Sequence, residues 1–155
     1  MMKSNKIIIT LSICAIFVGV LVYFLNQITT PIQVSSQGEV ILGEKAFLVE
    51  VADTDTLRTR GLSGHVPLSE EEGMLFIFDR PDNYGFWMKD MNFPIDIVWM
   101  DESLKIVHIE KNISPETYPK VLRPTEKSLF VLEISAGQSD LLNIKVGDEV
   151  KFLRK

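Results

Sequence analysis

Two carboxylates interrupt segments of the sequence that are otherwise apolar. Asp96 lies among isoleucine, valine and tryptophan residues, and Glu133 lies among leucine, phenylalanine, valine and isoleucine residues. A charged side chain in such a segment is paired, exposed or part of a site. Two carboxyls about 5.5 Å apart, or about 6.5–9.5 Å apart, would permit glycoside hydrolysis. The alternative is a structural role, in which Arg60, Lys89 or backbone amides hold the acids as buried partners.

Aromatic residues near these acids indicate a binding cleft. Tyr84, Trp87 and Phe93 have rings that stack on sugars, while acids accept hydrogen bonds from sugar hydroxyl groups. Arg60 can bind a carboxylate of the protein or of a ligand with two parallel hydrogen bonds. No catalytic residue is predicted. The predicted ligand-binding face consists of the residues that surround the apolar strands with charge or an aromatic ring: Arg60, Trp87, Lys89, Asp90, Asp96 and Glu133.

Methionine and histidine residues provide a second type of chemistry. Thioether and imidazole groups bind Cu(I), and Met88 and Met91 are three residues apart. The same set includes Met74, Met100, His65 and His108. Methionine more often fills gaps in an apolar core, and most of these residues lie among aromatic and aliphatic neighbours. The prediction is therefore that the domain holds no metal and no cofactor, with Cu(I) binding as an alternative.

Composition excludes several classes of function. The one cysteine, Cys14, lies in an apolar N-terminal run, so the rest of the chain has no disulfide, thiolate nucleophile or cysteine metal site. Without Lys3 and Lys6, 14 basic residues face 21 acidic ones, a net charge of −7. That balance argues against nucleic acid as a partner. The sequence also has no Gly-x-Ser-x-Gly element, phosphate loop or His-Glu-x-x-His helix.

Short apolar segments separated by turn residues predict the elements that must position these side chains. The predicted strands are Val40–Leu42, Ala46–Ala52, Met74–Phe78, Phe86–Met88, Ile95–Met100, Leu104–Glu110, Leu129–Ile134 and Glu149–Leu153. Short helices are predicted at Asp55–Arg60, with Asp53 or Asp55 as the cap, and from Ser135 through Asn143. We therefore expect a mostly β (α+β) domain, a small mixed β-roll or barrel of about eight short strands with two or three short helices.

The N-terminal region predicts where this domain lies. Ile7 to Leu25 is about 19 residues without a charge, long enough as a helix for the roughly 30 Å core of a bilayer. Lys3 and Lys6 precede it and favour a cytoplasmic N-terminus. Residues 1–28 are therefore predicted to be a transmembrane anchor or uncleaved signal, 29–38 a linker and 39–155 an extracytoplasmic domain. A cleaved signal is the alternative, although the bulky residues Val22 to Leu25 at the end of the run do not suit a peptidase, which needs small ones.

Several short motifs resemble one family over Phe47 to Phe152. They are Arg60-Gly61-Leu62, Glu72-Gly73-Met74-Leu75-Phe76, Phe86-Trp87-Met88-Lys89, Pro94-Ile95-Asp96-Ile97, Leu132-Glu133 and Gly147-Asp148. In this order they resemble the prokaryotic domain-of-unknown-function family number 192. The resemblance implies a small, mostly β, often exported domain with no established activity and no agreed catalytic residues. It also implies one departure, since His65 stands where the family commonly has arginine.

These observations predict a membrane-tethered extracytoplasmic binding or interaction domain with a single membrane pass. Its expected partners are the membrane, through Ile7 to Leu25, and a small molecule, glycan or protein of the cell envelope. The enzyme alternative is a carboxylate-dependent hydrolase of an envelope glycan, which requires Asp96 and Glu133 to face each other across an open groove.

Overall fold

The computed structural model describes Val20, Leu21, Tyr23 and residues 36–155. The three isolated residues are helical, and the remainder of the predicted anchor Ile7–Leu25 lies outside the described residues, as do residues 29–35 of the predicted linker. Among the residues described, no helix has the length and apolar character needed to cross a membrane. The chain divides into two units, Met1–Val34 and Ser35–Lys155. The features below all belong to the second unit.

Seven strands form a single sheet in the second unit. They are β1 (Ser36–Leu42), β2 (Lys45–Ala52), β3 (Glu72–Asp82), β4 (Ile95–Met100), β5 (Ile106–Ile113), β6 (Ser128–Ser135) and β7 (Val150–Arg154). Their order across the sheet is β5-β4-β6-β3-β2-β1-β7. Neighbouring strands are antiparallel except β2 and β3, which are parallel. The prediction of a mostly β domain is confirmed.

The predicted barrel is wrong, and one of the eight predicted strands, Phe86–Met88, is not a strand. The sheet is open because its edge strands β5 and β7 share no ladder. The residues just before these two strands, Lys105 and Glu149, form a single bridge. The segment Phe86–Met88, predicted as a strand, makes only one bridge, between Phe86 and Leu122. A turn begins at Lys89, in which Asp90 has a positive φ of 55°, and only two residues separate this turn from the bridge.

Two short helices flank the sheet, α1 (Asp55–Arg60) and α2 (Gln138–Leu141), and Pro115–Thr117 forms one 3₁₀ turn. The predicted bounds of α1 are confirmed, but its cap is Thr54, whose hydroxyl accepts the Leu57 N–H at 3.3 Å. Gly61 ends the helix with a φ of 51°, a conformation that glycine adopts without strain. The helix α2 begins later than predicted because Gly137 is left-handed.

Alternation along the central strands separates two apolar cores, one on each face of the sheet. The first core includes Met74, Phe76, Ile97, Trp99 and Val131. A cleft opens on this face of the sheet, so this core is named the cleft-side core. The second core, called here the far-side core, includes Val49, Leu75, Val98, Leu132 and Ile134. Successive side chains of a strand point to opposite faces, so a strand covered on both sides is apolar throughout. This explains why every residue of β4 is buried.

Candidate functional site

Glu133 is the buried carboxyl of the cleft-side face. It lies in β6 opposite Met74 of β3 and Ile97 of β4, and only 5% of the residue is exposed. Within residues 36–155, its Oε2 atom has no hydrogen-bond partner. Burial raises the pKa of Glu133 from 4.5 to about 8, because the apolar surroundings disfavour the charged form. Most molecules therefore carry a neutral Glu133 at pH 7, with one O–H donor and acceptor oxygens.

A cleft of about 820 Å³ opens above Glu133. It is bounded by α1 and the turn after it, the second half of β3 and the segment that follows β3. Its aromatic lining residues are Phe76, Phe78, Tyr84, Phe86 and Trp87. Clefts of a few hundred to about 1,000 Å³ with apolar walls and a few polar groups are typical small-molecule sites.

Ring contacts fix the shape of the aromatic wall. Phe78 and Tyr84 are stacked with ring centroids 3.4 Å apart, and Phe86 packs edge-on against Phe76 at 4.8 Å. The Trp99 indole N–H donates to the Tyr84 carbonyl at 3.0 Å. Tyr84 in turn donates its hydroxyl to the Arg80 carbonyl at 2.7 Å. Burial raises the pKa of Tyr84, so its hydroxyl stays a donor at physiological pH.

Trp87 is the exposed aromatic residue of the lining, with 52% of its surface in contact with solvent. An exposed tryptophan at the mouth of an apolar cleft can stack on a ligand with little cost in side-chain order.

Arg58 braces the cleft and has little capacity left for a ligand. Its guanidinium donates to the Ile77 carbonyl at 2.7 Å, the Asp53 carbonyl at 3.0 Å and the Asp55 carboxylate at 2.7 Å. It also lies 5.5 Å from the centroid of the Phe78 ring. These contacts tie α1 to β3, and only 12% of the Arg58 side chain is exposed.

Arg60 and Arg80 supply the available positive charge. Both line the cleft and are exposed. Arg60 places Nη2 3.4 Å from Nε2 of His65, and no carboxylate in residues 36–155 lies within 4.0 Å of either guanidinium. A guanidinium without an acid partner at the edge of a cleft is suited to bind a carboxylate or phosphate.

The structure brings together three of the six residues that the sequence analysis selected. Arg60, Trp87 and Glu133 all line the cleft. Lys89 and Asp90 do not, although they lie in the adjacent turn. Their backbone carbonyls accept hydrogen bonds from the Ser63 hydroxyl and the Gly64 N–H, both at 2.9 Å, while both residues are exposed.

Asp96, the sixth residue, is buried in the far side of the sheet. Its carboxylate accepts backbone N–H groups of Asn112 at 2.8 Å, Gly137 at 3.1 Å and Ser139 at 2.8 Å. It thus ties β4 to the end of β5 and to the start of α2, which is the structural role considered from the sequence. In the β4–β6 register Asp96 is paired with Ile134 rather than Glu133, so the two acids face opposite sides of the sheet. The geometry therefore excludes their action as a carboxylate pair on one substrate.

The methionine residues do not converge on one point. Met74 and Met88 are buried in the cleft-side core and Met91 packs against it, whereas Met100 belongs to the far-side core. The imidazole of His108 contacts Glu110 and Trp99. Among the described residues, no group of three or more His, Cys, Asp or Glu side chains is arranged to hold a metal ion.

Phe78 and Arg80 line the cleft but were not among the predicted site residues. The predicted strand ended at Phe78, and the Asp79–Asn83 segment has the composition of a turn. In fact β3 continues to Asp82. Phe76, Phe78 and Arg80 are two residues apart, so the alternation of a longer strand would have placed them on one face.

Comparisons with known proteins agree with the fold. The family model DUF192, described as "Uncharacterized ACR", matches residues 38–152. A crystal structure of a protein of unknown function from Novosphingobium aromaticivorans is 32% identical and has a TM-score of 0.68, covering 74% of this chain and 83% of that one. A crystal structure from Sinorhizobium meliloti, provisionally described as a transcription regulator, is 25% identical with a TM-score of 0.69, covering 76% and 93%. No curated protein matches the sequence.

Proposed function

The chain belongs to the DUF192 family, which is described only as uncharacterised, and we propose from its cleft that the domain binds a small anionic molecule. The observation that carries this proposal is the buried carboxyl of Glu133, which lines an open cleft of about 820 Å³ and whose Oε2 has no hydrogen-bond partner in residues 36–155. Leaving a buried polar atom without a hydrogen bond costs about 1–3 kcal/mol. A ligand that supplies the missing bond recovers this free energy, and a binding site is a common reason for such an atom.

The charge of the cleft favours an anion. Arg58, Arg60 and Arg80 line it together with the acids Asp55 and Asp79. With Glu133 neutral, these side chains leave a net charge of +1, on a domain whose overall net charge is −7. Both acids contact Arg58, so the charges of Arg60 and Arg80 remain available to a ligand.

Binding is better supported than hydrolysis. The hydrolase alternative depended on Asp96 and Glu133 acting together, and the sheet separates them. A lone neutral carboxyl can hold a ligand by donating a hydrogen bond, whereas glycoside hydrolysis requires a second carboxyl on the same substrate.

A panel of small anions with matched neutral analogues tests the proposal. Each is added to the full-length protein in lipid nanodiscs, and the melting temperature and the Kd are measured. We expect carboxylates or phosphates to raise the melting temperature by mass action, and their amide or alcohol analogues to have less effect.

Arg60→Gln should weaken the binding of those anions about tenfold, whereas the control Lys127→Gln should not, because Lys127 is exposed outside the cleft. The proposal fails when no anion stabilises the protein, or when the double variant R60Q/R80Q binds anions as well as the unchanged chain does.

The location of the cleft is part of the proposal: the domain lies outside the cytoplasm, tethered by Ile7 to Leu25. The uncharged run and the preceding Lys3 and Lys6 support it. Alkaline phosphatase fused after Lys155 should be active, and green fluorescent protein fused there should be dark when exported unfolded. The reverse pattern would place the domain in the cytoplasm and remove the envelope as the source of its ligand.

A further inference from the structure

We propose that the anionic ligand is an aromatic acid, with its acid group at Arg60 and Arg80 and a hydrogen-bonding substituent at Glu133. This inference rests on the proposed function and narrows it to one class of ligand. It assigns the two polar ends of the ligand to the exposed guanidiniums and to the buried carboxyl, and it assigns the ring between them to the aromatic wall.

The wall of the cleft provides the first argument. Phe78 and Tyr84 stack face to face, and Phe86 meets Phe76 edge-on. Together with Trp87 they present flat apolar surfaces on which another ring can stack in offset or edge-to-face geometry.

The shortage of free hydroxyl groups provides the second argument, and it disfavours a sugar. Three hydroxyl side chains line the cleft, those of Thr59, Ser63 and Tyr84. Ser63 already donates to the Lys89 carbonyl and Tyr84 to the Arg80 carbonyl. Of the three, only the Thr59 hydroxyl has no hydrogen bond within residues 36–155. A sugar acid would bring several hydroxyl groups, and each one buried without a partner weakens binding. An aromatic acid has few polar groups to satisfy.

Glu133 provides the third argument. The buried Glu133 lines the cleft and its Oε2 has no partner in residues 36–155, whereas Arg60 and Arg80 line the cleft and are exposed. A ligand therefore meets a charged end and a neutral end. Because burial raises the pKa of Glu133 to about 8, its carboxyl does not repel an anion at pH 7 and can exchange hydrogen bonds with a phenolic hydroxyl.

The experiment compares five probes on the full-length protein in nanodiscs: 4-hydroxybenzoate, benzoate, 4-hydroxybenzamide, glucuronate and cyclohexanecarboxylate. We expect 4-hydroxybenzoate to bind at least about tenfold more tightly than benzoate, because benzoate leaves Glu133 without a partner. The affinity for 4-hydroxybenzoate should also exceed the affinities for glucuronate and for 4-hydroxybenzamide by a similar factor.

Two variants test where the hydroxyl group and the ring of the probe bind. In Glu133→Leu, the ratio of the Kd of benzoate to the Kd of 4-hydroxybenzoate should fall to about one, while benzoate still binds. Phe78→Leu should reduce the preference for benzoate over cyclohexanecarboxylate, whereas the control Phe130→Leu should not, because Phe130 packs against the far-side core.

The outcomes separate this inference from the function on which it rests. Tighter binding of glucuronate than of 4-hydroxybenzoate, lost in Arg60→Gln, keeps an anion-binding cleft and overturns the aromatic ligand. Equal binding of 4-hydroxybenzoate and 4-hydroxybenzamide overturns both, because no recognition of charge would remain. An unchanged preference for the hydroxyl group in Glu133→Leu overturns the assignment of that end to Glu133.

Discussion

Asp96 and Glu133 lie on neighbouring strands and face opposite sides of the sheet, because Ile97 rather than Asp96 is the partner of Glu133. Both are buried, at 0% and 5% exposure, but their surroundings differ. Three backbone N–H groups bind the carboxylate of Asp96, whereas Oε2 of Glu133 has no partner in residues 36–155. The first acid stabilises the fold, whereas the second lines the cleft and gains no such hydrogen bonds at Oε2. The two acids should therefore respond in opposite ways to substitution.

Asp96→Ala should destabilise the protein by about 3 kcal/mol, because it leaves three backbone donors unsatisfied and removes hydrogen bonds to a charged acceptor. Urea unfolding of the second unit, followed by tryptophan fluorescence, measures the change. The control Asp140→Ala removes an exposed acid of α2 that pairs with Lys111, and it should cost less than about 1 kcal/mol. Equal losses for the two variants would contradict the structural role of Asp96.

Glu133 should make the folded state less stable as the pH rises. Its pKa is about 8 in the folded protein and 4.5 as an ordinary glutamate, so the folded state binds more protons between these values. Where the folded state holds the extra proton, the free energy of unfolding falls with pH, here by up to about 1.4 kcal/mol per unit. The stabilising effect of the proton is complete below pH 4.5 and lost as the pH rises through 8.

Glu133→Gln tests this linkage, because the amide cannot ionise. Urea midpoints of both proteins are measured at pH 5, 6.5 and 8. The variant should gain stability relative to the unchanged chain as the pH rises. Only the glutamate must take up a proton, or bear a buried charge, when the protein folds above pH 4.5, and the free energy of doing so grows with pH. A constant difference across the three pH values would show that Glu133 has no raised pKa.

The sequence predicted the local features well because neighbouring residues determine them. The bounds of α1 followed from its residue types and from Gly61, and the buried side of β2 followed from the alternation of Phe47, Val49 and Val51. The central position of β3 followed from its apolar residues on both faces. These features depend on propensity and periodicity, which a short window of sequence contains.

The relationship between the two acids could not be predicted in this way. Alternation gives the side of each strand that a residue occupies, but only the register between β4 and β6 relates the two strands. That register depends on packing across the whole sheet. The same limit applies to Tyr84, which reaches Phe78 because β3 continues past Pro81 to Asp82. A proline and two acids are typical of a turn, and tertiary context overrides that preference here.

Arg58 should contribute more to stability than the other arginines of the cleft. Its guanidinium donates to the Ile77 and Asp53 carbonyls and to the Asp55 carboxylate, so Arg58→Ala should cost about 2 kcal/mol. Arg80→Ala is the matched control, because no carboxylate in the described part of the chain pairs with this exposed side chain, and a change within about 0.5 kcal/mol is expected. Chemical unfolding measures both. A larger loss for Arg80 than for Arg58 would be inconsistent with the brace between α1 and β3.

Gly73 and Gly85 both lack space for a side chain, but the neighbours that fill that space differ. A Cβ at Gly73 would lie 2.8 Å from the backbone carbonyl oxygen of Glu133, which the β3–β6 ladder holds in place. A Cβ at Gly85 would lie 2.7 Å from a side-chain carbon of Val121 and 2.9 Å from one of Arg123, two exposed residues. Side chains at the surface can rotate away, whereas a ladder carbonyl cannot move without its strand.

Gly73→Ala should therefore destabilise the protein by about 1–3 kcal/mol, the cost of overpacking a site that cannot relax. Gly85→Ala should cost less than about 1 kcal/mol, because the loss is limited to the displaced side chains and is partly offset by the lower backbone entropy of the unfolded chain. Thermal unfolding ranks the two variants. Because Gly73 is paired with Ile134, the neighbour of Glu133, G73A should also displace the carboxyl at the base of the cleft and weaken anion binding. A reversed order of stability would mean that β3 and β6 are able to separate, and that the base of the cleft is not held by the sheet.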